Sequence, residues 1–305
     1  MLLRTAKRTL RERFSHADDL YQSCARSAHP RPHLAAQKGE RRMSGVKLPV
    51  SVTIITLNEE KRLGAALDSV SDWVDEMIVI DSGSTDSTIS IAKEKGARLL
   101  HHDWCGYGLQ KRFAEEQARH DWILNIDADE RITPQLRAEI EALFAEGVKS
   151  VEQKADGFFI AIHPRIYGTD RLSRKTPHVA VRLYRKSRGR YRDSPVHDRV
   201  VMASDARTGD LAGKIAHDSI LSYTHAVEKM NRYSDAQVAD MMAKNRRFSG
   251  VRLVGEFWLS FLKGFVLRGH WREGLPGYIA AVNYAYSRFL RQAKFYERVR
   301  SSKTD

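Results

Sequence analysis

The chain of 305 residues is 42% apolar and carries a net charge of +13, enough apolar material for one large core or two small ones. The charge sits at the ends: residues 1–48 hold eleven Lys/Arg against four Asp/Glu and residues 244–303 thirteen against three, whereas residues 49–243 hold 27 against 30. A nucleic-acid reader carries its positive stripe on the folded domain, so the slightly acidic middle disfavours nucleic acid as a partner.

Two cysteines, Cys24 and Cys105, give no disulfide framework and fit a reducing compartment. No apolar run reaches the roughly 18 residues of a membrane span, and no signal-peptide core follows Met1. Residues 1–48 mix Arg, Ser, His and Pro without periodicity and read as a basic, disordered tail. Met43, just ahead of the first strand, offers an alternative start of translation.

Val50–Thr56 predicts a buried strand, followed by Leu57-Asn-Glu-Glu60 and an amphipathic helix through Leu63, Leu67 and Val70. Met77–Ile80 is a second strand, running into Asp81-Ser-Gly-Ser-Thr-Asp86 and a helix through Ala92. A third strand, Ala97–Leu100, leads into the loop Trp104-Cys-Gly-Tyr-Gly-Leu-Gln-Lys111, which opens another helix and returns the chain to the strand Trp122–Ile126. Four strand–helix alternations specify an α/β fold with a parallel, doubly wound sheet. The first strand–helix turn has no glycine-rich fingerprint, which disfavours a dinucleotide site.

The strand at 122–126 ends in three acids, Asp127, Asp129 and Glu130. In an open α/β sheet, ligands bind beyond the carboxyl ends of the strands. Two aspartates spaced by one residue there can turn their oxygens toward one hard cation, Mg2+ or Mn2+, that keeps positions open for phosphate. Helix capping is the alternative use of such acids. Thr133-Pro134, however, already supplies the cap and first-turn proline of the next helix, at about 134–145.

Beyond it, Gly157–His163 and Val179–Tyr184 read as strands of a mixed or antiparallel extension, joined by a basic loop with Arg165, Arg171, Arg174 and Lys175. A turn at Ser194-Pro-Val-His-Asp198 follows, then an amphipathic helix over 224–244. Residues 49–243 are expected to form the catalytic domain and 244–305 a helical region. In the latter, Phe257–Leu267 is nearly all apolar. Ile279, Val282, Tyr286, Phe289, Ala293 and Tyr296 then mark one helical stripe, with Arg288, Arg291, Lys294 and Arg298 off it. Apolar on one side and basic on the other describes a helix lying in a membrane surface; a helical hairpin packed on the catalytic domain is the alternative.

Residues of about 49–235 resemble inverting family 2 glycosyltransferases with a GT-A fold, a Rossmann-like, doubly wound mixed sheet. Within that family they are most similar to lipopolysaccharide-core β-1,4-glucosyltransferases of the WaaE/KdtX type. The similarity rests on Ile54-Ile-Thr-Leu-Asn-Glu-Glu60, Ile78–Asp86, Trp104–Lys111 and Asp121–Glu130. Arg182-Leu-Tyr184, Val196-His-Asp198, and His217 with Asn231-Arg-Tyr-Ser234 extend it. That subgroup usually carries Val-His-Glu where this chain has Val196-His197-Asp198.

The resemblance implies a UDP-hexose donor, glucose being the expected sugar, and a divalent cation. It implies nucleoside contacts from Asn58, Glu59 and Asp81, with Asp86 a loop-shaping or weaker contact (helix capping is the alternative for Asn58 and Asp86), Lys111 near the uridine or phosphates, Asp127 near the ribose or the metal, and Asp129 on the metal. Arg182 would stabilise the leaving diphosphate or be a surface strand residue. Asp198 would be the general base with His197 beside it, or a turn residue capping its own backbone. His217 would complete the metal shell, touch phosphate, or simply pack. The implied acceptor is an inner-core heptose on lipid A, which places the enzyme in the cytoplasm, peripheral on the inner face of the cytoplasmic membrane. The alternatives are a polyisoprenyl-phosphate or other glycan acceptor, and a non-catalytic module that binds nucleotide-sugar or membrane.

Overall fold

The computed structural model describes residues 47–174, 177–193 and 198–301. The basic tail through residue 46, Lys175 and the turn residues Ser194–His197, including the expected orienting residue His197, lie outside the described residues. The first half of the fold is the expected alternation. Strands β1 (Leu48–Thr56) and β2 (Val74–Asp81) flank helix α1 (Leu63–Asp68). Helix α2 (Thr88–Glu94), strand β3 (Arg98–His101), helix α3 (Tyr107–Glu116) and strand β4 (Trp122–Asn125) follow. The four strands pair in parallel in the order β3-β2-β1-β4.

All four residues of β4 are buried. Because side chains alternate across a strand, Trp122 and Leu124 enter the larger core layer under α1. Ile123 enters the opposite layer with Ala114 and Ala118. Strand β5 (Glu130–Ile132) and helix α4 (Pro134–Phe144) come next, and the Thr133 hydroxyl accepts the Leu136 N–H as the sequence predicts for that cap.

After helix α5 (Val148–Lys154) come strands β6 (Gly157–Pro164) and β7 (His178–Arg185), a two-stranded hairpin β8 (Gly189–Tyr191) and β9 (Val200–Met202), and a long strand β10 (Thr208–His217). These extend the main sheet as β4-β7-β6-β10-β5, mixing directions: β7 runs antiparallel to β4 and β6, and β10 runs parallel to β6 but antiparallel to β5. β10 was not predicted, because Gly209, Gly213 and Lys214 dilute its β-forming residues. Gly213 has a packing reason to be there: a Cβ at that position would run into the Leu136 backbone of α4.

Three helices close the chain, α6 (Tyr223–Ala243), α7 (Gly250–Leu262) and α8 (Leu275–Ser301), with a π-turn at Lys263–Leu267 and a 3-10 turn at His270–Glu273 between the last two. Helix α8 packs by its small residues and leaves its aromatic stripe outside. Its buried face is Gly277, Ala281, Ala285, Gln292 and Phe295, and the stripe of Tyr286, Phe289 and Tyr296 is exposed. Small residues let the π-turn after α7 approach closely, Gly264 lying against Ala281 and Tyr284. Three of the cations of α8 turn to neighbouring helices: Arg288 and Arg291 meet Glu256, and Lys294 meets Asp235, while Arg298 is exposed. Among the described residues no helix is long and apolar enough to cross a membrane.

Candidate functional site

The end of β4 organises the site. Asn125, fully buried, donates its Nδ2 to the Thr53 carbonyl and hydroxyl of β1. Its Oδ1 accepts from the Tyr191 hydroxyl at 2.6 Å and from Arg182 at 2.8 Å. The turn that follows is closed by the Glu130 N–H on the Asp127 carbonyl and by the Asp127 N–H on the Glu130 carboxylate, each at 2.9 Å.

Arg182, projecting from β7, is 5% exposed, so it is no surface residue. It reaches Glu130 at 2.9 Å and Asp127 Oδ2 at 3.3 Å. The other Asp127 oxygen lies 2.7 Å from Lys111 Nζ, and the same ammonium lies 2.7 Å from Asp198. Lys111, only 1% exposed, is therefore matched to two carboxylates. Desolvation would raise the Asp127 pKa, but the Lys111 and Arg182 cations hold it well below the usual carboxylate range. Desolvation would lower Lys111, but Asp127, Tyr191 and Asp198 together raise it. In Glu130 burial wins over Arg182, and the carboxyl is pushed up.

Asp129 sits in a different set of contacts. His217, at the end of β10, is paired across the ladder with Glu130. That register brings its Nε2 to 3.1 Å from Asp129 Oδ2. Arg62 approaches the same oxygen at 3.3 Å while gripping Glu59 through two bonds of 2.6 and 2.7 Å. Burial opposes protonation of His217, but Asp129 raises its pKa above the ordinary histidine value. Burial likewise raises Glu59. Among the described residues no group of three or more His, Cys, Asp or Glu side chains gathers as a metal-binding cluster.

The loops after β1 and β2 are laced together. Asn58, in the left-handed region at φ 56°, accepts the Thr85 N–H, and the Ser84 hydroxyl accepts the Asn58 N–H. Asp81, 2% exposed, accepts from the Gly83 and Ser84 N–H groups and the Ser84 hydroxyl. Asp86 accepts the Thr88 N–H at the start of α2 and the Glu60 N–H, which is the capping and loop-shaping role the sequence allowed it.

Two cavities meet at the carboxylates. One, of about 980 Å3, is lined by Ile55, Leu57, Trp104 and Tyr107 as well as by Glu59, Arg62 and Asp129. The other, of about 1200 Å3, lies along β6 and β7 and is lined by His178, Val181, Arg192, Arg199 and Val200 among others. Asp127, Asp198 and His217 line both. The sequence alone did not single out Arg62, and it marked Trp104 and Tyr107 only as part of the Trp104–Lys111 segment, with no role. A signal for Arg62 existed in its spacing of three from Glu59, a helical-neighbour pair.

A family model described as "Glycosyl transferase family 2" matches residues 51–204. An uncharacterized glycosyltransferase of Rickettsia typhi is 38% identical over 81% of this chain and 87% of its own length. The lipopolysaccharide core biosynthesis glycosyltransferase LpsC of Rhizobium meliloti is 34% identical over 83% of this chain and 93% of its own. Among solved structures, glucosyl-3-phosphoglycerate synthase from Mycobacterium tuberculosis, in complex with Mg2+ and UDP, matches 38% of this chain and 43% of its own. That match has 27% identity and a TM-score of 0.31. The chain belongs to glycosyl transferase family 2.

Proposed function

We propose that this glycosyltransferase moves a hexose, glucose in our reading, from a UDP-sugar to an inner-core heptose of lipopolysaccharide, with inversion at the anomeric carbon. The observation that carries the reading is the position of Asp198, which lines both cavities where they meet. An inverting displacement needs a base on the face opposite the leaving group. A donor in the first cavity and an acceptor hydroxyl in the second would meet at this carboxylate. Its partner Lys111 is the positioning group we assign to it. Similarity to LpsC supports the lipopolysaccharide-core acceptor.

Of the residues expected at the nucleoside, Glu59 lines the donor cavity, and Asn58 and Asp81, outside its lining, would brace the loops beside it. Arg182, spanning Asn125, Asp127 and Glu130, would fix the strand end that carries the acids. Asp127 faces Lys111 and Arg182 with its two oxygens, so in our reading metal ligation falls to Asp129 and His217. A carboxylate and an imidazole within 3.1 Å of each other fit a divalent ion such as Mg2+ or Mn2+, which keeps its other positions for phosphate and water. Bound there, the ion would serve as a Lewis acid for the departing diphosphate.

The test is a product-mass assay of UDP-sugars against truncated lipopolysaccharide acceptors. Asp198→Asn is expected to lower turnover by about 10²–10⁴-fold while UDP affinity stays within about twofold of wild type. Near-normal turnover in that variant removes Asp198 as the base. Absence of transfer to any core acceptor by wild type removes the acceptor assignment.

A further inference from the structure

The floor of the donor cavity is rich in carboxylate, yet its own cations are already spoken for. Glu59, Asp127, Asp129 and Asp198 all line it. Arg62 is matched to Glu59 and Asp129, and Lys111 to Asp127 and Asp198. An anion entering this cavity would meet four carboxylates against two cations that have no charge to spare.

Helix α6 supplies what the floor lacks. His225, Lys229, Arg232 and Ala236 line the same cavity, and their spacing of four, three and four residues is one helical face. Neither Lys229 nor Arg232 has a carboxylate partner within 4.0 Å among the described residues. The cluster is close enough to be felt electrostatically: burial first, and then the Arg62, Lys229 and Arg232 charges, depress the His225 pKa below its ordinary value. The cavity also holds Trp104 and Tyr107, about half exposed and in edge-to-face contact at 4.8 Å, surfaces suited to a nucleobase.

We infer that Lys229 and Arg232 of α6 are the pyrophosphate-binding residues of this cavity, holding a nucleoside diphosphate from the α6 wall. The inference rests on the reading of the cavity as the donor site and adds the residues that receive the charge released there. A diphosphate offers oxygens for both cations, and hydrogen bonds to charged partners contribute more than neutral ones. Lys229 is half-buried and Arg232 exposed, so neither is needed to hold the fold.

The experiment is calorimetric titration of the full chain, with Mg2+ present, by UDP, UMP, uridine and inorganic pyrophosphate. Lys229→Ala and Arg232→Ala are each expected to weaken UDP and pyrophosphate about tenfold or more, with UMP affected less. Uridine and the melting temperature should not move, and Lys229→Arg should restore most of the affinity. The inference is overturned if the double alanine variant binds UDP and pyrophosphate within about twofold of wild type. It is equally overturned if wild type binds no pyrophosphate, or if only the acceptor KM rises. Wild type that binds pyrophosphate, loses it in the variants, yet binds no uridine nucleotide would keep the cation row and refute the donor reading instead.

Discussion

Glu115, on the inner side of α3, is 3% exposed. It accepts the Tyr184 hydroxyl at 2.6 Å and the Tyr191 N–H at 3.2 Å, with Arg112 at 3.4 Å. Burial outweighs these contacts and pushes its pKa up from 4.5 to about 7. Between those values the folded protein holds a proton that the unfolded chain has released. The stability linked to that proton is complete below the unfolded value and is lost as pH rises through about 7. Urea unfolding of wild type and Glu115→Gln across this range should therefore diverge, the variant gaining up to about 3 kcal/mol over wild type on the alkaline side. A difference that does not change with pH would mean the carboxyl ionises normally. Single residues of this kind were legible only where chemistry shows in local order. Asp127 and Asp129 announced themselves by type and setting at a strand end, Asp198 only through the family resemblance, and the structure brings all three to one cleft. Arg62 did not, because its contacts with Asp129 and Asp218 span 67 and 156 positions. Lys111 was legible as a site residue, but its burial between two carboxylates was not, since β4 and the end of the β8–β9 hairpin meet only in the folded chain.

At the scale of elements, α7 and α8 are held by a charge cluster as much as by apolar packing. Glu256 is buried and accepts from Arg252 and Arg288 at 3.0 Å, with Arg291 at 3.5 Å. Burial would raise its pKa, but the three arginines hold it below the usual value. Glu256→Ala leaves Arg288 and Arg291 facing each other with no anion between them, a loss on the order of 3 kcal/mol. Hydrogen exchange should show protection falling in α7 and α8 while β1 to β4 keep theirs. Uniform protection in the variant would show that the cluster contributes nothing. The alternating strands and helices up to β4 were readable because parallel strands are continuous apolar runs and each helix repeats at 3.6. β5, three residues long, and β10, interrupted by Gly209 and Gly213, carry too little of either pattern. The face that α8 buries was not legible in its aromatic stripe: helices approach closely along small residues, so Ala281 and Ala285 lie inside while Tyr286, Phe289 and Tyr296 stay exposed.

For the whole molecule, the telling feature is that α7 is inverted. Its polar residues Glu256 and Ser260 are buried, while Val251, Trp258 and Leu267 just beyond its end are 87%, 70% and 79% exposed. Val254, Leu259, Leu262 and Val266 are exposed as well. A face of that apolar content calls for a partner. Charge indicates which: over residues 244–278 the two acids, Glu256 and Glu273, are both buried, whereas Arg246, Arg247, Lys263, Arg268 and Arg272 are exposed. Exposed apolar side chains in a stretch whose exposed charges are cations suit an anionic lipid surface, where each cation adds about 1 kcal/mol and each inserted large side chain about 2 kcal/mol. The proposed acceptor is lipid-linked, so attachment would confine the enzyme to the surface on which it works and raise its effective concentration there. Flotation with vesicles of phosphatidylglycerol is expected to carry the full chain upward, and vesicles of phosphatidylcholine much less. Trp258→Glu with Leu262→Glu should weaken the anionic binding by more than about tenfold without lowering the melting temperature, since both positions are exposed. Turnover on a short, lipid-free acceptor should stay near wild type, which separates attachment from catalysis. If the pair instead converts a dimer to a monomer in sedimentation and leaves vesicle binding unchanged, the inverted face of α7 is a contact between copies of the chain.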